Sequence, residues 1–127
     1  MKVDRIDHIV LTVRDIDRTI AFYERALGMR ALTFAEGRRA LAFGDQKVNL
    51  HQAGREFVPK ARDPRPGSAD VCFTTAVPLD DVIAHLRAIG VAIEHGPVAK
   101  IGGRAALRSL YVRDPDGNLI EVANETP

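Results

Sequence analysis

Two histidines and two carboxylates stand at matched places in strand-like runs of this sequence. His8 opens one run, His51 closes another, Asp70 opens a third and Glu121 lies inside a fourth. Imidazole takes zinc, nickel and iron while carboxylate also suits manganese, so two imidazoles and a carboxylate on one face describe a site for one divalent ion, Ni, Mn, Zn or Fe. The same two-histidine, one-carboxylate set is that of the non-haem iron oxygenases. A lone strand histidine is more often a surface or satisfied core residue, Glu121 between Ile120 and Val122 could face solvent, and Asp70 could cap a strand. What favours a metal site is their joint placement at equivalent points of a repeat, because the plainer explanation needs several independent coincidences.

The repeat appears when the chain is slid on itself by 62 residues. His8–Val13 then falls on Asp70–Thr75, Arg25-Ala26 on Arg87-Ala88, and Leu27-Gly28 on Ile89-Gly90, matching by type more than identity. Each copy opens with an alternating strand. In the first, Ile9, Leu11 and Val13 share one face; in the second, Asp70, Cys72 and Thr74 share the opposite one. A helix follows in each copy, with apolar residues at Ile16, Ile20, Tyr23 and Leu27, then at Val82, Ile83, Leu86 and Ile89. Asp15 suits the first helix as N-cap, and Gly28 and Gly90 stand where a left-handed stop belongs. Three short strands are expected after each helix: 30–34, 39–43 and 47–51, then 92–95, 107–112 and 118–123, with turns at Gly37, Gly44-Asp45 and Asp114-Pro115-Asp116-Gly117. The fold class predicted is therefore α+β: two tandem βαβββ modules, about 4–52 and 69–124 with a connector 53–68, forming a concave, partly open barrel-like cleft with the helices outside.

Composition narrows the function classes. At 127 residues the chain is one ordinary domain, and 46% hydrophobic with 28% charged residues argues against disorder or a disulfide scaffold. A formal net charge of +1, spread along the chain, gives no footprint for nucleic acid. No apolar stretch approaches bilayer length, and Met1-Lys2-Val3-Asp4-Arg5 has no signal-peptide core, so a cytoplasmic location away from membranes is expected. Cys72, the single cysteine, is expected as a packed small side chain. The segment Lys100-Ile101-Gly102-Gly103-Arg104 carries two cations and two glycines, so Lys100 and Arg104 are candidate contacts for an anionic substrate.

Several motifs resemble the vicinal oxygen chelate superfamily, which includes glyoxalase I, extradiol dioxygenases and bleomycin-resistance proteins. They are Asp7-His8-Ile9-Val10-Leu11-Thr12-Val13, Thr19-Ile20-Ala21-Phe22-Tyr23 with Leu27-Gly28, and Asp114-Pro115-Asp116-Gly117-Asn118-Leu119-Ile120-Glu121. Phe43-Gly44-Asp45-Gln46-Lys47 with Asn49-Leu50-His51 resembles more narrowly the glyoxalase-domain-containing and related bacterial virulence-associated proteins. The resemblance implies metal ligands at His8, His51 and Glu121. It departs at Asp70, where many members have histidine. It implies chelation of a small substrate through two adjacent oxygens, an enediolate-type intermediate, and Glu121 or Asp70 as the base, in a lyase or isomerase of glyoxalase type. It further implies a homodimer. Two alternatives share the scaffold: a metal-free sequestering module of bleomycin-resistance type, and an extradiol dioxygenase.

Overall fold

In the computed structural model, which describes residues 1–127, the alternating run His8–Val13 is strand β1 and turns Leu11 and Val13 inward. Asp15 then caps helix α1 (Ile16–Leu27), its side chain accepting from Arg18 N at 3.1 Å. Gly28 ends the helix at φ 64°, a conformation that costs any residue with a Cβ. The helix buries Thr19, Ile20, Tyr23 and Ala26 and packs on strands β2 (Arg30–Phe34), β3 (Arg38–Phe43) and β4 (Gln46–Gln52). A single 3-10 turn at Ala35–Gly37 joins β2 to β3. The sheet order is β1-β4-β3-β2, with β1 and β4 parallel and the other pairs antiparallel. Leu41, Val48 and Leu50, each at most 2% exposed, form the face toward the helix. Each such side chain contributes roughly 1.5–3 kcal/mol by burial.

The second unit, Ser68–Pro127, repeats the plan of the first, Met1–Gly67. Strand β5 (Asp70–Thr74) precedes helix α2 (Leu79–Ala88), then β6 (His95–Ile101), β7 (Ala106–Arg113) and β8 (Leu119–Thr126) follow in a sheet ordered β5-β8-β7-β6. Pro78 offers α2 no side-chain cap, and Asn124 Oδ1 accepts the Leu79 amide at 2.8 Å instead. Leu79, Val82 and Leu86 of α2 are buried, as are Leu110, Val112, Ile120 and Val122 of the sheet. The α+β class and the two tandem modules are thus as expected. No helix is long and apolar enough to cross a membrane.

Two expectations are corrected. The sixth strand is His95–Ile101, not 92–95, so Lys100 lies within a strand and only a tight turn separates it from β7. Gly96-Pro97 reads as a breaker, but β6 is an edge strand and a register shift between His95 and Val98 absorbs the proline. Cys72 is exposed, not packed: strand alternation sets it with Asp70 and Thr74 on the exposed face of β5. The connector belongs to the first unit, where Ala53 N donates to Val13 O at 2.8 Å and Gln52 Nε2 to Arg14 O at 2.6 Å.

Candidate functional site

The sheet face of the first unit that points away from α1 is set by register. His8 pairs with Lys47, Val10 with Asn49 and Thr12 with His51 along the parallel β1–β4 pair. His8 and His51 therefore share a face but stand four residue steps apart. At about 3.3 Å per residue this is roughly 13 Å, beyond the reach of two imidazoles for one ion. The residue diagonal to His8 is Asn49, two steps from Lys47 and within side-chain reach. Asn49 Oδ1 is buried and has no hydrogen-bond partner. A buried acceptor left open in this way has room for a water or a ligand, and a cation is one ligand that an amide oxygen accepts.

His8 is oriented for such a role. Asp7 Oδ1 lies 2.8 Å from His8 Nδ1, a contact that favours the proton on Nδ1 and leaves Nε2 as the ring's acceptor. The same contact holds the Asp7 carboxyl below its ordinary value. His51 is in a different setting. It is 8% exposed, edge-on to Phe57 at 5.7 Å, and its pKa is lowered first by burial and then by the nearby Arg38 charge, so it is a neutral imidazole near pH 7.

The second unit carries the equivalent frame. Asp70 pairs with Leu119 and Cys72 with Glu121 along the parallel β5–β8 pair, so Asp70 occupies the rung of His8 and Glu121 that of Asn49. Glu121 is held from β7, where the buried Ser109 Oγ donates to its Oε2 at 2.6 Å. Tyr111 also bonds this carboxylate; desolvation first, and Glu121 next, raise the phenol above its ordinary value. Cys72, though exposed at its surface, is partly desolvated by its neighbours, and this with the Glu121 charge pushes its thiol up to about 11, so it is a protonated thiol near neutral pH. Arg104 is tied to Glu125 at 2.8 Å, whereas Lys100 has no carboxylate partner and its Nζ is 5.9 Å from the Tyr111 ring centre.

The motif Asp114-Pro115-Asp116-Gly117-Asn118 works as a clamp. Asp114 Oδ1 accepts the amides of Asp116 and Asn118, and Asn118 Nδ2 donates to Asp114 Oδ2 at 2.8 Å. Asn118 Oδ1 accepts the Ala69 amide at 2.9 Å, and Leu119 N donates to Ala69 O at 3.0 Å. This fixes the entry of β5 beside β8 and with it the register of Asp70 to Glu121. Within neither unit do three His, Cys, Asp or Glu side chains gather at metal-binding distance. Each unit offers two positions: an imidazole and an amide oxygen in the first, two carboxylates in the second.

Residues 5–122 match the model of the Glyoxalase/Bleomycin resistance protein/Dioxygenase superfamily. The chain is 54% identical to virulence protein STM3117 of Salmonella typhimurium over 97% of this chain and 85% of that one. The crystal structure of that protein superposes with a TM-score of 0.97, covering 99% of this chain and all of the other. Identity is 48% to the glyoxalase domain-containing protein RDO1 of Mycosarcoma maydis, over 98% of this chain and 70% of that one. It is 32% to a lactoylglutathione lyase of Haemophilus influenzae, over 92% and 90% of the two chains.

Proposed function

We propose, from the premise that the chain belongs to the Glyoxalase/Bleomycin resistance protein/Dioxygenase superfamily, that it is a metal-dependent enzyme of the lyase or isomerase kind acting on a small oxygenated substrate. The observation that carries this reading is the buried, unpartnered Oδ1 of Asn49, on the face of His8 and at the rung that Glu121 occupies in the second unit. The donors we assign are His8 and Asn49 in the first unit, and Glu121 with Asp70 as a further donor in the second. His51 is set aside as a ligand because it stands four steps from His8. The 32% identical lactoylglutathione lyase supports the choice of reaction class.

Imidazole, amide oxygen and carboxylate suit the divalent ions expected from the sequence, and the amide favours manganese among them. Such an ion supplies Lewis-acid stabilisation of negative charge on two adjacent substrate oxygens. The chain's own residues do the rest. Asp7 holds His8 in one tautomer. Ser109 and Tyr111 hold the Glu121 carboxylate in one orientation, and this carboxylate is the group we assign to take a proton from the substrate carbon and return it to the neighbouring one. Asp70 is the second candidate for that transfer. Lys100 is the contact assigned to the β6–β7 hairpin, while Arg104 stays with Glu125.

The test is metal content by plasma mass spectrometry on protein purified without chelator. Nickel, manganese, zinc or iron should be bound in the parent chain and in His51→Ala, and lost in His8→Ala, Asn49→Ala and Glu121→Ala. Glu121→Gln should weaken turnover far more than metal content. Loss of the ion in His51→Ala alone would overturn the ligand assignment. No uptake by the parent chain on titration would leave a sequestering module.

A further inference from the structure

We infer that the same face of the first unit carries a built oxyanion subsite, in which Arg38 and Lys47, each laid on an aromatic ring, receive a carboxylate or phosphoryl group of the substrate. This deepens the enzyme reading by naming a substrate class. The Arg38 guanidinium carbon lies 4.2 Å from the centre of the Phe57 ring. Lys47 Nζ lies 3.9 Å from the centre of the Phe34 ring. Phe34 is the cross-strand partner of Arg38, so the ring that carries Lys47 belongs to the rung of Arg38. Two cations thus stand on one sheet face, and neither has a carboxylate in contact.

Other arginines of the strands are paired with acids, Arg39 with Asp17, Arg108 with Asp80 and Arg113 with Glu94, whereas Arg38 and Lys47 rest on rings instead. Glu56, which like Arg38 acts on His51, is engaged by Lys60 at 3.0 Å and by the Gly54 amide at 2.6 Å. Asp7 bonds to His8 and feels Lys47 only weakly. Like charges sharing a partly desolvated face repel, and an anion between them would relieve that repulsion. The rings hold the cations without neutralising them, which is how a cation stays available to an anion. The guanidinium fork matches a carboxylate or phosphoryl group in two-point fashion, and the ammonium adds a point charge. The Phe34 and Phe57 rings give apolar walls. The class implied is a small organic acid or phosphoryl compound with an apolar part.

The test is isothermal titration of the chelator-treated full chain with benzoate, phenylphosphonate and, as neutral isostere, benzamide. Working without metal keeps the result independent of the metal-content experiment. At least one of the two anions should bind roughly tenfold more tightly than benzamide, and that preference should disappear in the Arg38→Met/Lys47→Met double variant and fall in Arg38→Gln alone. Arg113→Met, on the other unit, should leave it unchanged. Unfolding curves confirm that the variants fold; if the double variant does not, Arg38→Gln decides. A preference for benzoate assigns a carboxylate and one for phenylphosphonate a phosphoryl group. Equal binding of benzamide, binding unaffected by the substitutions, or no binding of any probe would overturn the subsite.

Discussion

Replacing Asp114 by alanine tests whether the β7–β8 turn is the device that sets the register of Asp70 against Glu121. Asp114 is 5% and Asn118 2% exposed, so water does not readily replace a lost partner. The substitution removes the acceptor of three donors: the Asp116 and Asn118 amides and Asn118 Nδ2. An unsatisfied buried donor costs about 1–3 kcal/mol, and the part-buried Asp116 amide lies at the low end, so the loss should total about 3–5 kcal/mol. Asp114→Asn keeps an oxygen for the two amides but turns an NH2 toward Asn118 Nδ2, and should cost about half as much. Urea unfolding measures both, with the slope of free energy on denaturant unchanged if only stability moves. Asn118→Ala completes a cycle. Because the two side chains bond each other, the double variant should lose less than the sum of the singles by about 1 kcal/mol. A loss below about 1 kcal/mol in Asp114→Ala, or simple additivity, would refute the clamp.

Two further substitutions probe the frame. Gly96→Ala should cost about 2–5 kcal/mol in the same assay, since a Cβ there would lie 2.6 Å from Ser109 O and 2.9 Å from Leu110 Cα, backbone atoms that cannot swing aside, at a φ of 102°. Loss under about 1 kcal/mol would show that β6 can shift freely against β7. Glu56 has its carboxyl lowered first by Lys60 and then by the Gly54 amide, so its contribution is present above the unfolded value of 4.5 and is lost as pH falls through the folded one. Glu56→Gln should therefore be less stable than the parent near pH 7, with the gap closing in acid; a gap independent of pH from 7 to 3 would contradict this.

Most of the fold is readable from periodicity. β1 and α1 carry clean periods of two and 3.6 with a capping aspartate and a stopping glycine, and the structure places them as expected. What periodicity cannot supply is the rung. Residues 49 and 51 have the same parity, so alternation puts both on the face of His8, and only the β1–β4 register shows that Asn49 and not His51 is its diagonal neighbour. An asparagine in a strand also carries little chemical signal until its oxygen is seen buried and unpartnered. Arg38 and Lys47 were invisible for a related reason: their role depends on Phe57, which the connector brings back onto the sheet, and no local pattern announces that return. The position of β6 is not legible either, because Gly96-Pro97 would break a central strand but not an edge strand with a bulge.

The repeat explains why the two copies can diverge without loss of fold. Both sheets bury the residues facing their helices, so selection for packing acts on one parity and leaves the other free to change. In the first copy the free parity has gathered His8, Asn49, Arg38 and Lys47, a neutral-to-positive set; in the second it has gathered Asp70, Glu121 and the hydroxyls of Ser109 and Tyr111. Carboxylates provide the charge that a divalent ion requires, and cations provide the charge that an acidic substrate requires. The division makes the two tests separable: substitutions in the Glu121 network should move metal retention and leave benzoate or phenylphosphonate binding to the chelator-treated chain intact, whereas Arg38 and Lys47 substitutions should do the reverse. If Ser109→Ala weakened anion binding by as much as Arg38→Gln while metal retention held, that division of labour would be wrong, and the subsite would have to be sought elsewhere.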